Sequence, residues 1–373
     1  MAILDFSKAF DTVPHEHLLH KLSHYGITGT LHQWLRCFLT QRSMQVVVEG
    51  EASETTSVDS GVPQGTVLGP LLFLCHINDL PEAVKSQVRL FADDCLPYRE
   101  INTFTDHHTL QADLKCLEAW AERWGMRFNA KKCYIMSIAR STPSHFIYTL
   151  DNTLLKSVTS NPYLGIQFSD NLKWTEHTNS IMKKANCSLG FLRRNLRHCP
   201  TSCKRNAYLA LVRPLLEYGV VIWDPYRKQE IDKLERIQRN AARFIAKDYR
   251  SRSPGFVTGL MNKYNLPPLQ ERREQLRLTF FYRVVEGLVP AIQPDHFLTP
   301  HKPGRMIRPR KHSEYQTSNP IDNYIRNNTR CYQIAECNTE QFKNSFIPRT
   351  TAAWNRLDDK TVHSTSVEGF KSA

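Results

Sequence analysis

The apolar run Ala2-Ile3-Leu4, followed by Asp5 and Phe6, reads as a buried strand beginning almost at the first residue. After "SKAFDTV" a helix is expected from Pro14, because proline suits a first helical turn, and residues 30–40 continue as helix. "MQVVVEGEASETTSV" alternates around Glu49-Gly50 like a β-hairpin. The Gly/Pro-rich "GVPQGTVLGP" leads into an apolar helix, and residues 88–99 read as a second hairpin with Asp93-Asp94 at its bend. Leu110, Leu114, Leu117, Trp120 and Trp124 recur at helical spacing, short strands are expected at 132–138 and 146–150, and "NPYLGIQFSDNLKW" reads as a turn-and-strand element. From about residue 175 the pattern turns mainly helical, at 178–196, 202–218 and the strongly amphipathic 229–247. Residues 300–330, rich in Pro, Arg, Lys, His and Asn, read as a linker or basic loop. A chain that opens inside a core strand reads as truncated at its N-terminus.

With 41% hydrophobic and 23% charged residues, the chain is long enough for two or three packed units. No run approaches the roughly 18 apolar residues of a membrane span, and "MAILDFSKAFD" lacks the parts of a secretory leader, so an intracellular, non-membrane protein is expected. The ten cysteines form no repeated Cys-x-x-Cys pairs, which argues against a disulfide framework and for a reducing compartment. His198, Cys199 and Cys203 would supply three metal ligands, but no second pair follows at zinc-finger spacing, and a structural zinc is the less favoured reading. Charge is unevenly placed: residues 1–150 hold 13 Lys+Arg against 16 Asp+Glu, and residues 151–373 hold 36 against 20. A net −3 part followed by a net +16 part suits an acidic, metal-dependent site acting on a polyanion that is gripped elsewhere; a plain solvated basic face is the bland alternative.

Asp5 ends one expected strand, and Asp93-Asp94 stand at the bend of a hairpin 88 residues later. Singly, paired aspartates at a turn are a solvated bend and Asp5 a strand-end cap. If the two strands are neighbours, three carboxylates converge, the arrangement that holds two divalent cations about 3.5–4 Å apart. Hard cations take oxygen ligands and would offset the repulsion between adjacent anions.

"LDFSKAFDTVPH" (4–15), "SGVPQGTVLGPLLFLCHINDLP" (60–81), "LFADD" (90–94), "WGMRFNAKKC" (124–133) and "PYLGI" (162–166) occur in that order. The set resembles the reverse transcriptases of non-long-terminal-repeat (LINE-type) retrotransposons, most closely the jockey-like elements, and "LVRPLLEYGVVIWDPYRKQEIDKLERIQRNAARFI" (211–245) resembles the segment after their polymerase domain. The resemblance implies an α+β fold: a right-hand polymerase palm, an antiparallel sheet with helices, over residues 1–168 with the fingers missing, a helical thumb over 169–250 and a basic C-terminal region over 251–373. It implies an RNA-directed DNA polymerase that uses two Mg²⁺ ions, with Mn²⁺ as a substitute, and takes an RNA template, a DNA primer and deoxynucleoside triphosphates in nucleus and cytoplasm.

Matched position by position, the resemblance assigns Asp5, Asp93 and Asp94 as catalytic, metal-binding carboxylates, with the Phe6 carbonyl completing the metal site. Phe10 matches the aromatic gate beneath the sugar, its plainer role being core packing. Gln64 and Gly65 match the loop that contacts nucleotide and template, Lys132 the lysine that protonates the pyrophosphate leaving group, and Tyr163-Leu164-Gly165 the primer grip. Lys183, Lys184, Arg193, Arg194 and Arg197 would track phosphates of an RNA/DNA hybrid. Pro97 departs from the pattern, since it removes a donor from the second strand of the Asp93-Asp94 hairpin. The missing fingers imply inactivity for this fragment by itself, and the rival reading is a catalytically silent relic that at most binds nucleic acid. A two-metal nuclease accounts for the carboxylates but not for Gln64-Gly65 or "YLGI".

Overall fold

The structure, a computed structural model, describes residues 1–139, 146–301 and 328–373. It divides into two compact units, Met1–Asn161 with Ser169–Asn171, and Pro162–Phe168 with Leu172–Ala373.

In the first unit β1 (Ala2–Ile3) is followed by α1 (Ala9–Thr12), α2 (His15–His24) and α3 (Gly29–Leu39). Two nested hairpins come next: β2 (Arg42–Met44) pairs with β5 (Thr56–Val58), and between them β3 (Val47–Val48) pairs with β4 (Glu51–Ala52) across the expected Glu49-Gly50 turn. Then come α4 (Leu68–Ile77), the hairpin β6 (Gln87–Phe91) and β7 (Asp94–Tyr98), α5 (Phe104–Arg123), and the short strands β8 (Tyr134–Ile135), β9 (Thr149–Leu150), β10 (Thr153–Leu154) and β11 (Lys156–Ser157). α1 was not legible as a helix in "SKAFDTV"; it is a single turn, too short to show a period.

The central sheet is mixed, where an antiparallel one was expected. β1 pairs antiparallel with β8, β8 pairs parallel with β11, and the other edge of β1 meets β7 through one bridge, Leu4 to Cys95. Leu4, Phe6, Leu18, Leu22, Phe73, Leu114 and Leu117 are buried in one core beneath this sheet. That core also encloses a charge: Lys21 donates to the His76 carbonyl at 2.6 Å and to Asp79 Oδ1 at 2.5 Å, and its ammonium stands 3.7 Å from the Trp124 ring centroid. Pairing, hydrogen bonding and the aromatic faces together compensate a cation that is 4% exposed.

The strands Ser160–Tyr163 (β12) and Ile166–Ser169 (β13) pair as a hairpin whose residues Pro162–Phe168 belong to the second unit, and helices then take over. α6 (Thr175–Asn195), α7 (Thr201–Leu211), α8 (Arg213–Glu217), α9 (Val220–Trp223), α10 (Lys228–Ala246), α11 (Phe256–Lys263) and α12 (Leu269–Val285) are followed, beyond residue 328, by α13 (Glu340–Lys343), α14 (Phe346–Trp354), α15 (Asp359–Val362) and α16 (Val367–Ser372). The single helix expected over 202–218 is broken at Val212, because Pro214 cannot donate the bond that would continue it and instead starts α8. One core gathers Ile181, Leu189, Tyr208, Trp223, Leu234 and Ile245; a second gathers Phe281, Tyr282, Trp354, Val362 and Phe370. The regions 169–250 and 251–373, read separately from the sequence, thus share one compact unit from residue 172 onward. Of the basic loop expected over 300–330, residues 302–327 lie outside the described residues. Among the described residues no helix is long and apolar enough to cross a membrane.

Candidate active site

Leu4 and Cys95 exchange both backbone hydrogen bonds, Leu4 N to Cys95 O at 2.9 Å and Cys95 N to Leu4 O at 3.1 Å. In an antiparallel pair this fixes the neighbours: Asp5 falls across from Asp94, at the closer, non-hydrogen-bonded kind of site. Leu4 and Cys95 are buried at 1% and 0% exposure, so alternation along each strand carries Asp5 and Asp94 to the opposite face, where both are partly exposed. Asp93 adjoins them in the two-residue loop Ala92-Asp93 of the β6–β7 hairpin, whose first residue is held at φ 50°.

The other edge of Asp5 is clamped too. Its carbonyl accepts from Asn129 N at 2.8 Å, and its N–H points at Cys133 Sγ, 3.4 Å away. Burial pushes the Cys133 thiol up to about 11, so the sulfur stays a neutral packing group. Phe6 stacks on Phe128 with ring centroids 4.2 Å apart and is 3% exposed, so its side chain belongs to the core and only its carbonyl is available for a ligand.

Charge in the site is out of balance. The Asp94 carboxyl is raised above the usual carboxylate range by burial, then by the Asp93 and Asp5 charges. The Lys132 ammonium pairs with Asp5 Oδ2 at 3.6 Å, but it is 69% exposed and screened by water. Among the described residues no three His, Cys, Asp or Glu side chains stand already gathered as a metal-holding group. Neither Asp5, Asp93 and Asp94 nor His198, Cys199 and Cys203 stand gathered as such a group.

A loop packs on the segment that follows Asp5 and Phe6 in the chain. Val62 N donates to the Phe10 carbonyl and Gly61 N to the Val13 carbonyl, both at 2.8 Å, which ties the 60–65 segment to α1. At Gly61 a side chain would meet Asp11 Cα at 2.7 Å, so only glycine fits. Gly65 meets nothing within 4 Å, and its φ of +77° is the left-handed backbone that favours glycine. Gln64 Nε2 donates to Asp11 Oδ1 at 2.7 Å, a partner the sequence reading did not single out. Phe10 stacks on the buried Phe73 ring at 4.4 Å and is partly exposed, so it has a core partner on one side.

The remaining expected residues belong to the second unit. Leu164 and Gly165 form the turn between β12 and β13; the Leu164 carbonyl accepts from Tyr218 Oη at 3.1 Å, and Tyr163 lies edge-on to Phe168. Lys183, Lys184 and Arg194 are exposed on α6, and Arg197 is exposed just beyond it. Arg193 differs: it turns toward α10, donates from Nη2 to the Asn240 carbonyl at 3.2 Å, and lies over the Tyr249 ring. It is a packing arginine, and the helical period explains why, since it lies one residue from the buried Leu192 on the flank of the core face.

Residues 1–168 match the family described as reverse transcriptase (RNA-dependent DNA polymerase). The RNA-directed DNA polymerase from mobile element jockey of Drosophila melanogaster is 30% identical over 259 residues, covering 66% of this chain and 28% of that protein. The probable RNA-directed DNA polymerase from transposon BS of the same organism is 27% identical over 293 residues, covering 72% and 31%. The retrovirus-related Pol polyprotein from type-1 retrotransposable element R2 of Popillia japonica is 27% identical over 243 residues, covering 58% and 38%. The chain therefore spans well under half the length of these relatives.

Proposed function

We propose that Asp5, Asp93 and Asp94 form a nucleotidyl-transfer site that extends a DNA primer with deoxynucleotides against an RNA template, a reading supported by the match of residues 1–168 to the reverse transcriptase (RNA-dependent DNA polymerase) family. The observation that carries this reading is the Leu4–Cys95 bridge, which sets Asp5 across from Asp94 beside the Asp93 bend. Such a reaction needs positioning and electrostatic stabilisation and no covalent nucleophile.

The donor set fits Mg²⁺, or Mn²⁺ in its place: it is all oxygen, and among the described residues the three carboxylates have only the exposed Lys132 ammonium beside them as a paired cation. Asp5, Asp93 and Asp94, with the Phe6 carbonyl, would hold the metal, which when bound supplies neutralisation of the charge developing on the phosphate oxygens. The residues of the chain do the rest. Lys132, within reach of Asp5, holds the proton passed to the pyrophosphate leaving group. Gln64, braced by Asp11, and the Gly65 turn present a surface to the nucleotide. Phe10, backed by Phe73, leaves no room for a 2′-hydroxyl beneath the sugar. Tyr163, Leu164 and Gly165 steady the primer end, and Lys183, Lys184, Arg194 and Arg197 follow the phosphates of the duplex, binding with little sequence preference and steep salt dependence. Palm for residues 1–168, thumb for 169–250 and a basic region for 251–373 describe these roles.

Because the chain spans 28% to 38% of the length of these relatives, the grips on template and triphosphate are assigned to the part of such proteins beyond it, and the chain by itself is expected to be inactive. A reacting group misplaced by 1 Å can lose about a hundredfold in rate. The test is deoxynucleotide incorporation on a primed RNA template by the chain and by a fusion carrying the upstream polymerase segment of a jockey element, each with and without Asp93→Ala. Extension by the fusion that Asp93→Ala abolishes is the expected result; equal extension by the fusion and its Asp93→Ala form would overturn the assignment.

A further inference from the structure

A second concentration of charge lies in the second unit around Asp224, far along the chain from the carboxylates. The Asp224 carboxylate is shared by three arginines: Oδ1 accepts from Arg273 Nε at 2.8 Å, and Oδ2 accepts from Arg277 Nε at 2.9 Å and Arg349 Nη2 at 3.1 Å. Arg349 Nη1 also donates to the Asp224 carbonyl at 2.9 Å. Arg273 is fully buried, and among the described residues its Nη1 and Nη2 have no hydrogen-bond partner. Three guanidiniums against one carboxylate leave an excess of two positive charges where water compensates them poorly, an arrangement that disfavours the fold unless an anion joins it. Burial first, and the neighbouring Arg349 next, disfavour the charge on Arg277.

Arg277 and Arg349 also line a groove of about 600 Å³ between α12 and α14. Lys343 and Arg356 stand exposed at its rim, while Glu274 and Glu336 are the acids in its wall. The lining thus carries four basic groups to two acidic ones, and its volume lies in the range of nucleotide-sized sites.

We propose that this groove is a phosphate-binding site, taking the phosphoryl group of a nucleotide unit, whether free or within a polynucleotide backbone. Charged arginine and lysine groups give phosphate oxygens strong hydrogen bonds, and Asp224, with Thr350 Oγ1 accepting from Arg277 Nη1 at 3.2 Å, holds Arg277 and Arg349 in fixed orientations before the anion arrives. The site is separate from the carboxylates of the first unit and stands whether or not those carboxylates catalyse polymerisation.

The test titrates the full chain with pyrophosphate and with a short single-stranded oligoribonucleotide, in low salt and without divalent ions, by calorimetry. Without divalent ions the uncompensated carboxylates of the first unit repel both anionic probes, so binding reports on the groove. The double variant Lys343→Gln/Arg356→Gln changes exposed side chains only, and its thermal unfolding is expected to match that of the unaltered chain. It is expected to bind pyrophosphate at least tenfold more weakly. Displacement of pyrophosphate by the oligoribonucleotide identifies a backbone phosphate as the ligand; lack of displacement identifies a free phosphoanion. No binding of either probe by the unaltered chain, or equal binding by the double variant, would overturn the proposal.

Discussion

The Lys132 ammonium lies 3.6 Å from Asp5 Oδ2, so a cation beside the three carboxylates comes from the chain itself. Lys132→Met removes a competitor for the carboxylates, and Mn²⁺ affinity is expected to rise. The gain is at most about fivefold, because an exposed ion pair is worth no more than about 1 kcal/mol. In an active fusion the same change is expected to lower turnover, since the leaving group loses its proton source. Tighter metal with slower turnover is the paired result to measure; unchanged turnover would return Lys132 to an ordinary surface charge.

Asp94→Asn is expected to stabilise the fold while removing its proposed chemistry. The Asp94 carboxyl is raised in the folded chain, so its contribution favours folding below the carboxylate's ordinary range and is lost as pH rises through the folded value. At neutral pH the amide removes a like-charge opposition across two strands, worth roughly 0.5 kcal/mol. Denaturant unfolding at pH 7 and pH 4 checks this: the gain is present at pH 7 and shrinks at pH 4.

Acid is expected to loosen both units through their buried histidines. His177 Nδ1 accepts from Gln167 N at 3.1 Å, which requires the neutral ring, and burial pushes its pKa down to about 4. His76 is pushed to about 3, also chiefly by burial. The unfolded chain takes up these protons near the ordinary histidine value and the folded chain does not, so stability falls as pH drops below about 6.5, by no more than roughly 1.4 kcal/mol per pH unit for each histidine. Denaturant midpoints between pH 7 and pH 4 measure the slope, which His177→Gln is expected to flatten.

Pro97 pairs with Val88 in β7, and alternation turns its backbone nitrogen toward β1. Two residues back, Cys95 donates to Leu4 from the same side, so Pro97 occupies the next position from which β7 would donate to β1. The missing N–H explains why the two strands meet at a single bridge. Pro97→Val is expected to extend that ladder, gaining about 1 kcal/mol from the hydrogen bond and losing about half of it to the freer unfolded chain. The sharper readout is amide hydrogen exchange, in which Leu4 and Cys95 are expected to become better protected.

Much of this was legible in the sequence, for physical reasons that differ by element. Asp93 at a hairpin bend follows from two adjacent anions closing an apolar run, and α10 follows from an apolar stripe at a period of 3.6. The pairing of Asp5 with Asp94 was available only as a condition, because strand neighbours 89 residues apart leave no local signal. The parallel β8–β11 pair was hidden for the same reason. α12 went unread because Arg273 and Arg277 fall on its buried side, against the rule that charges mark the solvent face, and their partner Asp224 lies 49 residues from Arg273. Arg193 was grouped with the exposed basic residues because composition does not tell which way a helical residue turns.

Whether Asp5, Asp93 and Asp94 act together as one metal-holding set is tested on the chain itself by Mn²⁺ binding followed by electron paramagnetic resonance. The chain is expected to bind Mn²⁺, and Asp5→Asn and Asp94→Asn are each expected to weaken binding at least tenfold, although the two residues lie 89 positions apart in sequence. Binding that either substitution leaves unchanged, or no binding at millimolar Mn²⁺, would contradict it.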